Sequence, residues 1–239
     1  MNQSPNNLIF KPQGTDSNTV ALNETSSLTI GILALQGAFL EHANMLRRLG
    51  ATSVEVRLPN DLTELDGLII PGGESTTIGK LAKQFGLVEP MQQFIQANKP
   101  VWGTCAGMIF LAQNVGTTGS GGHVIPPRLG NMEITVNRNA FGRQVDSFEV
   151  DLELSFAQNK PFRAVFIRAP RFEANNQAVE ILARLNDGTP VAARQDNLLA
   201  TAFHPELTDD NRFHDYFLNM VKTSSAANVI QELSTRQKI

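Results

Sequence analysis

The chain has 239 residues, 41% of them hydrophobic, a net charge of −3 at pH 7 and a single cysteine. That length and apolar content suffice for one large domain, or at most two, while the mild negative charge excludes the basic footprint of a nucleic-acid binder. One cysteine excludes an internal disulfide and suits a reducing compartment, and no apolar run reaches the roughly 18 residues of a membrane span, so a soluble, cytoplasmic protein is expected.

Residues Met1 to Ser27 are rich in Asn, Ser and Thr and carry no apolar periodicity, which predicts a disordered extension. Leu28–Leu35 (LTIGILAL) is a near-continuous apolar run, the pattern of a parallel strand covered on both faces. Gln36-Gly37 follows, then a helix with Phe39, Ala43, Leu46 and Leu49 on its buried stripe, closed by Gly50. Ser53–Leu58 and Asp66–Ile70 predict two more strands, the latter ending in PGGES (Pro71–Ser75). Ser75, Thr76 and Thr77 suit the N-cap of a helix burying Ile78, Leu81, Ala82 and Phe85. A further helix carries Leu87, Met91, Phe94 and Ile95. Strands alternating with helices predict a parallel α/β sheet, whose active site lies at the carboxyl ends of the strands.

Beyond Gln113 the pattern changes. Gly116–Gly122 (GTTGSGG) reads as a mobile surface loop, without the Gly-Lys-Ser/Thr ending of a phosphate cradle. The stretches MEITV and DSFEVDLEL, between Asn131 and Leu154, predict antiparallel strands, and Arg163–Arg168 another. Val179–Leu185 and Pro190–Arg194 flank Asn186-Asp187-Gly188-Thr189, a hairpin signal. Leu198–Phe203 is a last strand, running into His204-Pro205-Glu206. A closing helix from about Asp209 buries Phe213, Phe217 and Met220, and a polar tail follows Thr223. One domain over residues 28–223 is therefore expected, between an N-terminal extension (1–27) and a tail (224–239).

The chemistry centres on Pro100–Leu111 (PVWGTCAGMIFL). Cys105 sits in Gly103-Thr104-Cys105-Ala106-Gly107, between a strand and a helix, the sulfur form of a nucleophile elbow. Glycines two residues to either side relieve the crowding of such a turn, and a helix N-terminus favours the thiolate. The alternative is a small buried hydrophobe, the usual fate of a free cysteine. His204, at a strand end, is placed to take the thiol proton, and Glu206 to orient it. Pro205 predicts an extended segment, in which residues two apart point the same way. His42, His123 and His214 receive no role.

These motifs resemble the triad-type (class I) glutamine amidotransferases, and most closely the glutaminase subunits of pyridoxal 5′-phosphate synthases. The resemblance runs from about Ile30 to Val221 and rests on GILALQG (31–37), PGGESTT (71–77), WGTCAGM (102–108), NRNAFGRQ (137–144), FIRAP (166–170) and FHPEL (203–207). The N-terminal segment and the longer C-terminal tail depart from the family pattern; no catalytic position does. The resemblance implies a flavodoxin-like fold: a mostly parallel sheet with helices on both faces and an antiparallel extension. It also implies hydrolysis of L-glutamine by Cys105, His204 and Glu206 through a thioester, with no cofactor and no metal. Backbone N–H groups of Gly73 and Ala106 would form the oxyanion hole, with Gln36 beside it. Gly73, Glu74, Ser75, Arg138, Ile167 and Arg168 would hold the substrate, Arg138 and Arg168 as counter-ions to its carboxylate. The implied partner is a barrel-shaped synthase subunit in a large hetero-oligomer. Rotation of the Gly72–Gly73 peptide would be a switch released by docking, with Gln36 and the Pro71–Ser75 loop near the contact.

Three other readings stay open on the residues alone: a non-catalytic interaction module on this fold, a different cysteine chemistry such as a peptidase or redox-sensing thiol, and a glutaminase serving another synthase.

Overall fold

A computed structural model describes residues 28–116, 127–138 and 147–236. The first half alternates as its apolar runs predict: β1 (Thr29–Leu33), α1 (Phe39–Arg48), β2 (Thr52–Val56), β3 (Gly67–Ile70), α2 (Ser75–Gln84), α3 (Val88–Gln96) and β4 (Val101–Thr104). A short α4 (Ala106–Leu111) then leads into β5 (Ala112–Gly116), β6 (Met132–Asn137), β7 (Ser147–Leu154), β8 (Ala157–Ile167), β9 (Arg171–Ala174), β10 (Glu180–Arg184), β11 (Pro190–Gln195), β12 (Leu198–Thr201) and α5 (Arg212–Arg236).

Among the described residues, nine strands form one sheet in the order β2-β1-β3-β4-β12-β11-β10-β7-β8. From β2 to β12 neighbours run parallel, and from β12 to β8 antiparallel. The mostly parallel core with an antiparallel extension is thus as expected. The hairpin across Asn186–Thr189 forms between β10 and β11.

MEITV and DSFEVDLEL each form a strand with an antiparallel neighbour, as expected, but in different sheets. The first becomes β6 in a separate three-stranded sheet, parallel to β5 and antiparallel to β9, while the second becomes β7 and pairs with β8. Alternation marks both as strands facing a core on one side, but carries no information about which edge each one joins. The expected buried stripes need correction: in α1, His42 joins Met45 and Leu46 as a buried residue, while Phe39, Ala43 and Leu49 pack only partly against the core. Phe85, at the end of α2, is likewise exposed.

The described part of α5 continues to Arg236, into the segment read as a tail. Residues 1–27, the glycine-rich stretch beyond Gly116, His123 and positions 139–144 of the NRNAFGRQ motif lie outside the described residues. No described helix is long and apolar enough to cross a membrane.

An aromatic core locks the site end of the sheet to α5. Trp102 of β4 contacts Phe213 and Phe217, and Phe213 packs edge-on against Phe162 and Phe203. All five are fully buried. Offset and edge-on ring pairs of this kind add roughly 0.5–1.5 kcal/mol each beyond their buried area.

Candidate active site

β4 and β12 lie side by side in register, Thr104 opposite Thr201, so their carboxyl ends deliver Cys105 and His204 to one place. Cys105 N–H donates to Thr201 O at 2.8 Å, tying the elbow to the strand that carries the histidine. The elbow is tight: Cys105 has φ 48° and ψ −102°, a left-handed conformation that costs a non-glycine residue of order 1–3 kcal/mol. The flanking glycines are required by close approach. A Cβ on Gly103 would lie 2.5 Å from the Gly107 carbonyl, and one on Gly107 would lie 2.0 Å from Ile70 O. Gly107→Ala is therefore expected to destabilise by roughly 1–3 kcal/mol or more, at about 2–4 °C of Tm per kcal/mol for a domain of this size. A thermal melt within about 1 °C of the parent protein's would contradict this packing.

His204 Nδ1 lies 2.7 Å from Glu206 Oε1. A carboxylate only accepts, so Nδ1 carries a proton and Nε2 is left for the thiol. The route to this contact differs from the extended segment expected. Pro205–Leu207 is a 3₁₀ turn with His204 as its N-cap, because a proline's fixed φ suits the first position of a helical turn as readily as a strand. The turn folds Glu206 back beneath the imidazole. Both residues are buried, His204 at 7% and Glu206 at 6% exposure. Burial alone lowers the imidazole pKa, but hydrogen bonds to Cys105 and Glu206 and their negative charge outweigh it and raise the value to about 10. The histidine is held as an imidazolium between two acids.

The loop after β3 forms the facing wall. Gly72 passes directly over the imidazole; a Cβ there would lie 2.3 Å from His204 Cε1. Gly72 O accepts from Ala38 N–H at 3.1 Å, so the Gly72–Gly73 peptide is pinned to the turn before α1. Gln36 Oε1 accepts from Glu74 N–H at 2.7 Å, which ties the end of β1 to the same loop. The N-cap of α2 is Glu74 rather than the Ser75–Thr77 cluster, its carboxylate accepting from Thr76 N–H (3.0 Å) and Thr77 N–H (2.6 Å). A carboxylate meets the first-turn donors and the helix dipole together. Burial works against its charge, yet the hydrogen bonds from Thr77 and Thr76 bring its pKa down to about 2. Arg138 stands beside it, with Nη2 3.6 Å from Glu74 Oε1 and 3.2 Å from Thr76 Oγ1.

Together these walls enclose a cavity of about 390 Å³, within the size range of small-molecule sites. Gln36, Gly73, Glu74, Ser75, Cys105, Ala106, Arg138, Ile167, Arg168 and His204 all line it, and Glu206 stands behind His204. Gly37, Ala38, Ile109, Pro170 and Leu207 also line it, and none of these side chains carries chemistry that a motif would single out. Arg168 has φ 45°, a second strained backbone position in the wall. His204 N–H donates to Val165 O, and this bond draws β8, the last strand of the sheet, over to the pocket with Ile167 and Arg168. No cluster of His, Cys, Asp and Glu that could hold a metal ion occurs among the described residues.

Residues 32–223 match the SNO glutamine amidotransferase family. The chain is 57% identical over 193 residues to a pyridoxal 5′-phosphate synthase subunit PdxT of Herpetosiphon aurantiacus, covering 81% of this chain and all of that one. It is 59% identical over 195 residues to a PdxT of Dehalococcoides mccartyi, covering 82% and 98%. Among solved structures, a glutamine amidotransferase at 49% identity superposes with a TM-score of 0.74 over 81% of this chain and 98% of that one. A putative GMP synthase protein from Thermoplasma acidophilum, at 17% identity, shares the fold with a TM-score of 0.60, over 86% of this chain and 98% of that one.

Proposed function

The chain belongs to the SNO glutamine amidotransferase family, and from this premise we infer that it is the glutaminase subunit of a pyridoxal 5′-phosphate synthase, releasing ammonia from L-glutamine. The observation that carries the catalytic reading is His204, held between Cys105 and Glu206 over a cavity of substrate size. Cys105 Sγ attacks the side-chain amide carbon of glutamine. Charge builds on the amide oxygen and is met by the N–H groups of Gly73 and Ala106; Ala106 opens α4, where first-turn donors have no carbonyl behind them. His204 protonates the departing ammonia, then serves as base while water cleaves the thioester. Glu206 holds the imidazole in place. Gln36, with its carbonyl engaged by Glu74 N–H, keeps its amide N–H₂ for the oxyanion side. Arg138 and the backbone at Ile167 and Arg168 take the substrate carboxylate, and Gly73, Glu74 and Ser75 its amino end, where the Glu74 charge complements an ammonium. No cofactor takes part.

The ammonia acceptor is a barrel-type synthase subunit, bound in a hetero-oligomer in the cytoplasm. The Ala38–Gly72 hydrogen bond couples the oxyanion loop to the turn before α1, so docking on that turn can rotate the Gly72–Gly73 peptide. One oxyanion donor is worth roughly 10²–10³ in rate. Glutamate production by the free protein is therefore expected to rise by that factor as the synthase subunit is titrated in. Full activity without the synthase, unchanged by titration, would refute the switch. A glutamine-versus-peptide substrate screen separates this reading from a peptidase.

A further inference from the structure

Behind the triad lies a second buried polar group, one with no task in the mechanism above. His42 of α1 and His214 of α5 are both fully buried. His42 Nδ1 is 2.9 Å from His214 Nε2, and both rings stand edge-on to Trp102. The other nitrogen of His42, Nε2, lies 3.5 Å from Glu206 Oε2 and 3.4 Å from Thr104 Oγ1, next to the nucleophile. Glu206 Oε2 is buried with no partner at ordinary hydrogen-bond distance among the described residues, so the His42 nitrogen is its polar neighbour.

The geometry decides which atoms carry protons. If His42 Nδ1–H donated to His214, the bare Nε2 lone pair would face a carboxylate oxygen. His214 would then carry its proton on Nδ1, an atom that is buried without a partner. The opposite tautomers remove both conflicts. His214 Nε2–H donates to His42 Nδ1, and His42 Nε2–H donates to Thr104 Oγ1 with Glu206 Oε2 beside it at 3.5 Å. What remains is one unpaired lone pair on His214, in place of a buried N–H without an acceptor. Both rings stay neutral: burial, then His214 and His204, hold His42 well below the usual histidine range, and burial alone brings His214 down to about 3.

We propose that His42 is a positioning residue of the glutaminase reaction: its Nε2–H edge, oriented by His214, faces the far oxygen of Glu206 at 3.5 Å and keeps the near oxygen on His204. The proposal rests on the function assigned above. The other ionisable groups around Glu206 are His204 and Cys105 on the site side, and Glu41, Arg48 and Asp209 around the shallow cavity on its far side. Arg48 and Asp209 pair with one another in solvent.

The test uses His42→Leu, His42→Gln, which returns an N–H at similar reach, and His214→Phe. With the synthase subunit present, His42→Leu should lower kcat roughly 10–100-fold, by analogy with the outer partners that orient metal-ligating side chains, with the KM for glutamine unchanged. The acid limb of kcat/KM should move to higher pH, since a Glu206 no longer held in place supports the His204 imidazolium less. The acid limb of Cys105 alkylation by iodoacetamide, read on the free protein, should move the same way. His42→Gln should recover most of the loss, and His214→Phe should shift both limbs by less. Unshifted limbs in both His42→Leu and His214→Phe would overturn the proposal, as would a His42→Gln protein no better than His42→Leu. If His42→Leu does not fold, the limbs of His214→Phe decide alone. A wild-type complex that releases no glutamate would instead overturn the function, while the alkylation limbs still judge His42.

Discussion

Replacing Cys105 by alanine is expected to reduce glutamate release by roughly 10⁶-fold, the loss seen when the nucleophile of a hydrolytic triad is removed. The fold should survive. Cysteine and alanine both carry a Cβ, so the strain of φ 48° at the elbow is the same before and after. The sulfur is a small buried group, and its loss removes little packing. A ΔΔG near 1 kcal/mol corresponds to about 2–4 °C in Tm, and the melt should move no further than that. The measurement is steady-state glutamate production in the presence of the synthase subunit, beside a thermal melt of the same preparation. Substantial ammonia release by the Cys105→Ala protein would remove the covalent mechanism altogether.

What the sequence disclosed about this site follows from the range of the interactions involved. The elbow was legible because its requirements are local. Gly103 and Gly107 must approach one another and Ile70 O, and a five-residue pattern records that need. The parallel half of the sheet was legible because strands buried on both faces read as unbroken apolar runs. His42 was not legible. On α1 it sits at helical spacing from Met45 and Leu46, where a histidine reads as a core residue. Its contacts come from His214 on the last helix and Glu206 on a distant turn, and no local pattern joins these three. The 3₁₀ turn at Pro205 escaped the sequence for a related reason. Proline fixes φ but leaves ψ free, and the choice between strand and turn is made by what surrounds it. Nor does any local signal pair β6 with β9 rather than with β7.

His204→Ala should cost about as much activity as Cys105→Ala, because nucleophile and base act as one unit, whereas Glu206→Gln should cost less. In a serine hydrolase with the same division of labour, losing the orienting carboxylate costs roughly 3 × 10⁴ in kcat against roughly 2 × 10⁶ for the base. The carboxamide introduced by Glu206→Gln can still accept from His204 Nδ1–H, so geometry is kept while the charge is lost. If Glu206→Gln proves worse than His204→Ala, the roles assigned to the pair are wrong. The same histidine makes a stability prediction whose sign is fixed by its titration. Its value is about 10 in the folded protein against 6.5 for an ordinary histidine. A group whose pKa is raised on folding stabilises fully below its unfolded value and loses that contribution as pH climbs through the folded one. The wild-type protein should therefore lead His204→Ala most in Tm at pH 6.5 and below, and the gap should narrow between pH 6.5 and about 10. The cavity left by alanine adds a penalty that does not change with pH, so only the slope reports the imidazolium. A gap that stays flat or widens across that window would mean that His204 is neutral in the folded protein, and that Cys105 meets a base without a charge.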